Sequence, residues 1–229
     1  MGAVRRGPET VRFPDWSEIR GVLMPGDDHV PETLVRHVIR PAAEVLGRAF
    51  DDDPLMNYLV AGKGPVFRRA LRFFEASIRL GMARGEVQAL PSTAGVAVWL
   101  SPGTGKVGFG AMLRSGMFGA TLGMGVRSIR RFGNLYRYIE PLEDQNVPGP
   151  HWVLMFIGVD PELQGKGLGH ALISPVLERA DAEGLPCYLD TGNPRNLSFY
   201  HRHGFGVVDE VELPDGPTAW AMVRQPRTN

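Results

Sequence analysis

The sequence predicts one mixed α/β domain, because segments typical of strands and of helices alternate along most of its 229 residues. The run Trp152–Val159 is almost entirely apolar, as expected of a central strand covered on both faces. Residues 66–82 repeat apolar side chains at the three-to-four spacing of an amphipathic helix, and Gly85 follows them. Together these patterns predict a mixed central sheet flanked by helices.

The first half of the chain begins irregularly and then alternates between helix and strand patterns. Residues 1–31 are rich in charge, proline and glycine, so we expect an N-terminal extension, partly disordered or draped over a domain that spans residues 32–229. The further elements predicted here are a strand over 34–39, a helix that opens at Pro41 and stops at 51–54, the helix over 66–82, and strands over 86–90 and 95–100.

The second half repeats the alternation around the apolar run Trp152–Val159. A helix over residues 167–183 contains Pro175, which should kink it. The remaining predicted elements are a strand over 187–189, a helix over 196–202, and a closing hairpin of strands over 207–213 and 219–224.

Composition limits the possible partners. Lys and Arg number 25, as do Asp and Glu, so no basic excess favours binding to a nucleic-acid backbone. The single cysteine, Cys187, cannot form an internal disulfide and lies in a short apolar run typical of a buried strand. The tandem Arg5 and Arg6 lack the apolar stretch that follows in export signals. We expect a cytoplasmic monomer or homodimer with no nucleic-acid or membrane partner.

Residues 103–133 repeatedly place glycine between methionine, phenylalanine and leucine. The apolar part, between Arg114 and Arg127, is too short for the roughly 20 residues of a membrane span. We interpret the segment as a mobile helical lid or a pocket wall, with a segment that lies on a membrane surface as the alternative.

A candidate anion site follows the apolar strand. The residues concerned are Gln164, Gly165, Lys166, Gly167, Leu168 and Gly169, which open a helix. The first N–H groups of a helix lack internal partners and lie at the positive end of its dipole, so they attract phosphate oxygens. Glycines let a ligand approach the backbone, Lys166 adds a charge, and His170 is a further phosphate neighbour. The alternative is that these glycines only form a tight turn.

The Gln-x-x-Gly-x-Gly pattern of residues 164–169 resembles the acyl-CoA signature of the GNAT superfamily of N-acetyltransferases. Residues 193–205 contain Asn196, Tyr200 and a Gly-Phe pair, and they are similar to that superfamily's second signature. Within it, residues 152–229 most resemble the puromycin N-acetyltransferase branch. The resemblance implies a GNAT fold, with about six to seven strands splayed where acetyl-CoA binds, and acetyl-CoA as the co-substrate.

The resemblance also implies roles for single residues. The backbone of Ile157 and Val159 would pair with the pantetheine arm as a strand does, and Asn196 would hydrogen-bond the arm. Tyr200, one helical turn after Asn196, would protonate the leaving thiolate, or else it is an aromatic core residue. Asp190, at a strand end, is the candidate base for the amine, with a bridging water if its short side chain needs one.

Two further clusters of polar residues have alternative interpretations. Asp51, Asp52 and Asp53 occupy the place where the superfamily often has its acceptor-binding loop, or they form a solvated helix stop. His201 and His203 fall on different faces of the predicted helix, so we expect no metal site.

The function expected from the sequence is an acetyl-CoA-dependent N-acetyltransferase that acetylates a primary amine of a small molecule, including antibiotic-like amines. Transfer would be direct, without a covalent enzyme intermediate. The alternatives are a protein or peptide N-acetyltransferase and a non-catalytic acyl-CoA-binding sensor.

Overall fold

A computed structural model of the chain describes residues 32–33, 39–60, 62, 64–104 and 114–227, which are built around one seven-stranded sheet. The strands are β1 (Glu32–Thr33), β2 (Gly85–Ala89), β3 (Gly95–Leu100), β4 (Trp152–Val159), β5 (Cys187–Thr191), β6 (Gly206–Glu212) and β7 (Thr218–Arg224). They lie in the order β1-β2-β3-β4-β5-β7-β6, and β4 and β5 pair in parallel while the other neighbours pair antiparallel. The predicted mixed sheet flanked by helices is confirmed.

Helices connect the strands and cover the sheet. They are α1 (Ile39–Ala49), α2 (Pro54–Leu59), α3 (Val66–Arg84), α4 (Met117–Gly123), α5 (Val126–Tyr138), α6 (Glu140–Asn146), α7 (Leu168–Glu183) and α8 (Pro194–Arg202). None of the helices in the described ranges has the length and apolar composition needed to cross a bilayer.

The first predicted helix begins earlier than the sequence indicated. The predicted start at Pro41 is wrong, because α1 begins at Ile39 and Pro41 lies in its first turn, where a missing N–H leaves no helical bond unmade. The predicted strand over 34–39 is therefore wrong at Ile39. Residues 34–38 and the predicted extension 1–31 lie outside the described residues. The later predicted elements are present, with ends that differ by at most two residues.

The two faces of the sheet bury two separate apolar cores. Along β3, Val96 and Val98 pack in one core with α1 and α3, whereas Ala97 and Trp99 pack in the other with α7. This alternation follows from the period of two in a strand, which sends successive side chains to opposite faces. The whole of β3 is buried, as expected of a strand with helices on both sides.

Strands β4 and β5 separate soon after they meet. Their pairing comprises only Trp152 with Cys187 and Val153 with Tyr188, although β4 continues to Val159. On its other side β4 stays paired with β3 along its length. Gly158 also lets α1 approach β4, since a Cβ at this position would lie 2.9 Å from the Cβ of Ala49. The central strand is thus held by β3 and α1 while its edge towards β5 is open.

A buried arginine on β7 links the sheet to the two helices α7 and α8. Arg224 at the end of β7 is 3% exposed, and its guanidinium donates to both carboxylate oxygens of Asp181 on α7 at 2.7 and 2.6 Å. It also donates to the carbonyl of His203, just after α8, at 3.0 Å. The Arg224 hydrogen bond lowers the pKa of Asp181. One side chain therefore joins a strand and two helices.

Replacing this arginine tests its structural role. We expect Arg224→Met to lower the free energy of unfolding by about 2–4 kcal/mol, because it removes three hydrogen bonds from a buried position. The exposed Arg202→Met serves as the matched control and should change stability by less than about 0.5 kcal/mol. Denaturant unfolding measures both, and equal midpoints for the two variants would contradict the assignment.

Candidate active site

The open edge of β4 presents backbone groups towards the gap beside β5. The N–H of Asp160 donates to the carbonyl of Ala94 at 3.0 Å, which fixes the phase of the β3–β4 ladder. Because antiparallel pairs alternate in direction, Gly158 faces β3 whereas Ile157 and Val159 direct their amide groups to the open side. These are the two residues predicted to pair with the pantetheine arm. The carbonyl of Val159 already accepts a hydrogen bond from the Gln164 side chain at 3.1 Å.

A cavity of about 470 Å³ lies where the strands part. It brings together four of the predicted site residues, which are Ile157, Asp190, Asn196 and Tyr200. Helices α4 and α5 supply part of its wall, so the described part of the glycine-rich segment forms a pocket wall, one of the interpretations that the sequence allowed. The cavity is therefore built from both halves of the chain.

Asp190 has the environment of a proton acceptor. Its carboxylate lines the cavity and accepts a hydrogen bond from the Tyr188 hydroxyl at 2.6 Å. Removal from solvent raises the pKa of Asp190 to about 7, the Tyr188 hydrogen bond opposes this shift, and the negative charge of Glu143 adds to it. A carboxylate with a pKa near neutrality can both accept and release a proton at physiological pH.

A second hydrogen-bonded pair lies on the same cavity. His151 contacts Glu143 at 3.2 Å and the carbonyl of Gly149 at 2.8 Å, and the Glu143 contact is the main cause that raises the pKa of His151. The His151 ring also lies edge-on to Tyr188, with ring centroids 6.3 Å apart. Tyr188 thus stands between the His151–Glu143 pair and Asp190.

Tyr200 and Asn196 come from α8 and reach the cavity from the other side. Asn193 begins this helix because its side chain accepts from the N–H of Arg195 at 3.1 Å, and Pro194 follows as the first helical residue. Tyr200 is only 6% exposed, and burial, with a smaller contribution from Asp53, raises its pKa. The phenol therefore keeps its proton throughout the neutral range. Tyr200 packs in the apolar core and also lines the cavity. Its predicted roles as a core aromatic residue and as a proton donor are therefore compatible.

The three consecutive aspartates have different surroundings. Asp51 and Asp52 are exposed, and Asp52 pairs with Arg195 at 2.7 Å, as expected of a solvated helix stop. Asp53 is 6% exposed, accepts from the N–H of Met56 at 2.9 Å to begin α2, and lines the cavity. The solvated interpretation is therefore wrong for Asp53, whose burial raises its pKa.

The glycine turn lies at the end of β4, outside the cavity lining. Gly165 and Gly167 have φ values of 78° and 82°, which favour glycine, and Gly167 is the N-terminal cap of α7. Gln164 and Lys166 are exposed, whereas Leu168 is buried and anchors the turn. Gly169 permits close packing, since a Cβ there would lie 3.0 Å from the ring of Phe199. A phosphate group therefore fits this cradle of backbone N–H groups at the helix start.

His170 has a partner that the sequence did not indicate. Its Nδ1 lies 3.0 Å from Nε2 of His203, and Ser174 Oγ lies 3.1 Å from the same Nδ1. His203 in turn contacts the carbonyl of Phe199 at 2.8 Å. Across the described ranges, no group of three or more His, Cys, Asp or Glu residues is placed to hold a metal ion.

Sequence reasoning missed most of the polar cavity lining. Tyr188 could have been found, since it is two residues before Asp190 on one strand and therefore shares its face. Glu143 and His151 carried no usable signal, because they meet across the turn that joins α6 to β4, and the sequence does not specify the course of that turn. Cys187 is buried as predicted, and burial raises the pKa of its thiol to about 12, which leaves it unreactive.

Comparisons with known proteins find acetyltransferases that are similar in sequence to this chain. A family model described as the acetyltransferase (GNAT) family matches residues 123–205, which include β4, the glycine turn, β5 and α8. An uncharacterised N-acetyltransferase of Schizosaccharomyces pombe is 28% identical over 200 residues, which cover 82% of this chain and 80% of the relative. Part of this chain is thus similar to the GNAT family, and most of it is similar to one N-acetyltransferase.

Further acetyltransferases are similar to a shorter stretch of the sequence or to the fold alone. The mycothiol acetyltransferase of Streptomyces griseus is 37% identical over 83 residues, 31% of this chain and 27% of that protein. Among solved structures, a histone acetyltransferase HPA2-related acetyltransferase from Corynebacterium glutamicum has a TM-score of 0.62 at 19% identity, covering 88% of this chain and 98% of its own. Arylalkylamine N-acetyltransferase 2 from Aedes aegypti has a TM-score of 0.58 at 16% identity, covering 88% and 100%. These two structures share the fold of this chain, and the puromycin-like branch stays a prediction.

Two glycines at opposite ends of α7 test the phosphate cradle. Gly167 at the start and Gly184 at the end both have positive φ and open space around them, so alanine at either position should cost a similar 1–2 kcal/mol or so of stability. We expect Gly167→Ala to weaken CoA binding by about tenfold or more, because it disturbs the N–H groups that face the phosphates. Isothermal titration calorimetry with CoA measures this, and equal affinities for Gly167→Ala and Gly184→Ala would contradict the site.

Proposed function

We propose that the chain transfers an acetyl group from acetyl-CoA directly to the primary amine of a small molecule. The observation that carries this proposal is the shared cavity, in which a proton acceptor, Asp190, and a proton donor, Tyr200, line the space beside the open edge of β4. Acetyl-CoA fits the parted strands and the glycine turn, and when bound it supplies an activated thioester. Asn196, Ile157 and Val159 would hold its pantetheine arm, and residues 164–170 its phosphates.

The two side chains meet the two proton requirements of the reaction. An alkyl amine is mostly protonated at neutral pH, so its nitrogen loses two protons on the way to the amide: one leaves to solvent before attack, and Asp190 accepts the other as the C–N bond forms. As the new C–N bond forms and the C–S bond breaks, the Tyr200 hydroxyl gives its proton to the departing sulfur. After the products leave, Asp190 releases its proton to solvent and Tyr200 takes one up from solvent. The enzyme thereby returns to its starting state. Holding the amine beside the acyl carbon supplies the remaining acceleration.

The cavity also indicates the class of acceptor. Its lining combines apolar side chains, among them Phe73, Phe132 and Phe156, with the carboxylates of Asp53, Asp190 and three acidic residues of α6. The α6 residues are Glu140, Glu143 and Asp144. An ammonium group attached to a bulky apolar body would match both features. Antibiotic-like amines, which the puromycin-like resemblance implies, belong to this class.

The alternatives predict different substrates or none. A peptide acceptor would need an open groove, whereas a volume of about 470 Å³ lies within the size usual for a small-molecule pocket. A non-catalytic sensor would have no use for a carboxylate with a pKa near 7 beside the open strand. Release of free thiol from acetyl-CoA, measured with aminonucleosides, aryl-alkyl amines, polyamines and a lysine peptide, separates these three functions.

Removing the phenol tests the donor. We expect Tyr200→Phe to reduce kcat by about 10²–10⁴-fold while the Kd for CoA stays within about twofold, because general acid catalysis contributes in that range and the ring still packs. Single-turnover kinetics and calorimetry measure the two quantities. Unchanged turnover in Tyr200→Phe would remove Tyr200 from the chemistry. A wild-type protein that binds CoA but turns over none of the amines would favour the sensor.

Two neighbours of Asp190 should shift its titration in opposite directions. Activity should fall as the pH drops below about 7, because the base becomes protonated. Tyr188→Phe removes a hydrogen bond that stabilises the carboxylate, so this acidic limb should move to higher pH. Glu143→Gln removes a nearby negative charge, so the limb should move to lower pH.

Profiles of kcat/KM against pH measure both shifts. Glu178→Gln is the matched control, since this exposed residue lies on α7 outside the cavity and should leave the limb in place. Asp190→Asn should remove the limb and lower kcat by about 10²–10⁴-fold. A limb that survives in Asp190→Asn, or shifts of the same sign in the two variants, would assign the base elsewhere.

A further inference from the structure

Helices α4 and α5 expose large apolar side chains on the side away from the core. Leu122 is 49% exposed, Val126 82% and Ile129 39%. We call these three residues the α4–α5 apolar face. The opposite side of the same helices is buried, since Met117, Ala120 and Phe132 are each less than 9% exposed. The two helices are therefore apolar on both sides, which packing within the domain does not require.

The chain segment that carries this face contributes charge of one sign. Residues 101–139 contain one lysine and five arginines but no aspartate or glutamate, although acidic and basic residues balance over the whole chain. Arg127, Arg130 and Arg137 are exposed on α5, and Arg130 lies 3.6 Å from the exposed carboxylate of Asp215. Helical spacing places Val126, Arg130 and Arg137 on one side of α5. Arginine and aliphatic side chains thus share one surface.

The two helices are fixed to the domain by polar contacts below the apolar face. Arg131 donates to the carbonyl of Tyr58 at 2.6 Å, and its guanidinium lies 4.6 Å from the centre of the Tyr58 ring. Asn134 donates to the hydroxyl of the same tyrosine at 2.8 Å. The outward orientation of Val126 and Ile129 is therefore held by α2 and does not depend on a ligand.

From this arrangement we propose that the α4–α5 apolar face docks the protein on the surface of an anionic lipid bilayer. The aliphatic side chains enter the boundary between headgroups and acyl chains, while Arg127, Arg130 and Arg137 contact lipid phosphates. None of the described helices is both long and apolar enough to cross the bilayer, so the proposed binding is peripheral. The sequence favoured a pocket wall over a membrane surface, and the structure allows both because the two roles use opposite sides of the same helices.

Two other occupants match the surface less well. In a symmetric dimer the same patch would face itself, so the arginines of one copy would meet those of the other. Nucleic acid would use the positive charge, but it stacks on aromatic rings and gains little from exposed leucine, valine and isoleucine. An anionic bilayer uses both the charge and the aliphatic surface.

Docking also bears on the acceptor, and this part rests on the proposed function. Met117, Thr121, Phe132 and Leu135 line the acceptor cavity from the inner side of α4 and α5. A protein bound through the outer side holds that cavity wall at the bilayer, where amphiphilic amines concentrate. The acceptor class this favours is an amine with a long apolar body.

Vesicle co-sedimentation of the full chain tests docking without reference to activity. The probes are vesicles of phosphatidylcholine alone and of phosphatidylcholine mixed with phosphatidylglycerol, at low and physiological salt. We expect binding to the mixed vesicles only, weakened by salt. Arg127→Gln with Arg130→Gln should weaken partitioning roughly 30-fold, at roughly fivefold per arginine. Leu122→Ser, Val126→Ser and Ile129→Ser combined should weaken it by about 100-fold or more.

A matched control distinguishes binding through this face from non-specific hydrophobic adsorption. Val207 and Val208 on β6 are 41% and 45% exposed, so Val207→Ser with Val208→Ser removes comparable aliphatic surface elsewhere. Circular dichroism confirms that each variant is folded. Equal loss of binding in the control and the triple variant, or no binding to mixed vesicles at low salt, would overturn the proposal. Analytical ultracentrifugation could instead show that the wild-type and control proteins are dimers while the triple variant is a monomer. That result would assign the face to contact with a second copy of the chain.

Vesicle binding and acetyl transfer can fail independently. If the protein binds vesicles but acetylates none of the amines tested, docking stands and the proposed reaction does not. If it acetylates soluble amines but ignores vesicles, the reaction stands and docking does not.

Discussion

The structure depends on the brief contact between β4 and β5. Two residue pairs hold these central strands together, and beyond them the sheet must be completed by something other than a neighbouring strand. Unpaired backbone groups inside a sheet are costly, so the open edge is stable only because β3 and α1 keep β4 in place and because water or a ligand reaches the gap. The gap positions the cavity, brings Asp190 and Tyr200 to its walls and leaves the glycine turn at the end of the open edge. The separation of β4 from β5 is therefore both a property of the fold and the origin of the candidate site.

The separation of the strands also explains why the active-site residues come from distant parts of the sequence. Once β5 leaves β4, the helices α2, α5 and α6 close the space from the side. Asp53 comes with the start of α2 and Glu143 with α6, while His151 lies immediately before β4. Arg224 holds the other side of the sheet by joining β7, α7 and α8. Tyr200 can then approach the gap from a helix whose start is fixed by Asn193 and whose end is fixed through His203.

The fold was predictable where local pattern and tertiary packing agree. The apolar run of β4 and the spacing of α3 gave these elements directly, because a buried strand and an amphipathic helix each have a distinct period. The first helix was placed two residues late because proline marks the first turn of a helix without marking its first residue. Tyr200 was predicted through resemblance and Asp190 from its place at a strand end. The His170–His203 contact joins residues 33 apart in sequence, which no local pattern indicates. His151 and Glu143 are only eight residues apart, but their contact depends on the course of the turn between α6 and β4, which the sequence does not specify.

The environment of Asp190 has a consequence for the stability of the whole protein. The folded chain holds this proton more tightly than an unfolded chain would, since the pKa rises from 3.8 to about 7 on folding. Between these two values the folded state binds more protons than the unfolded state, so the free energy of unfolding falls as the pH rises through that window. Above it, the ionised carboxylate that can accept a proton from an amine is also the form that the fold disfavours. Ionised Asp190, the form in which it would act as the proposed base, therefore lowers the stability of the fold. Selection for greater stability would act against that proposed role.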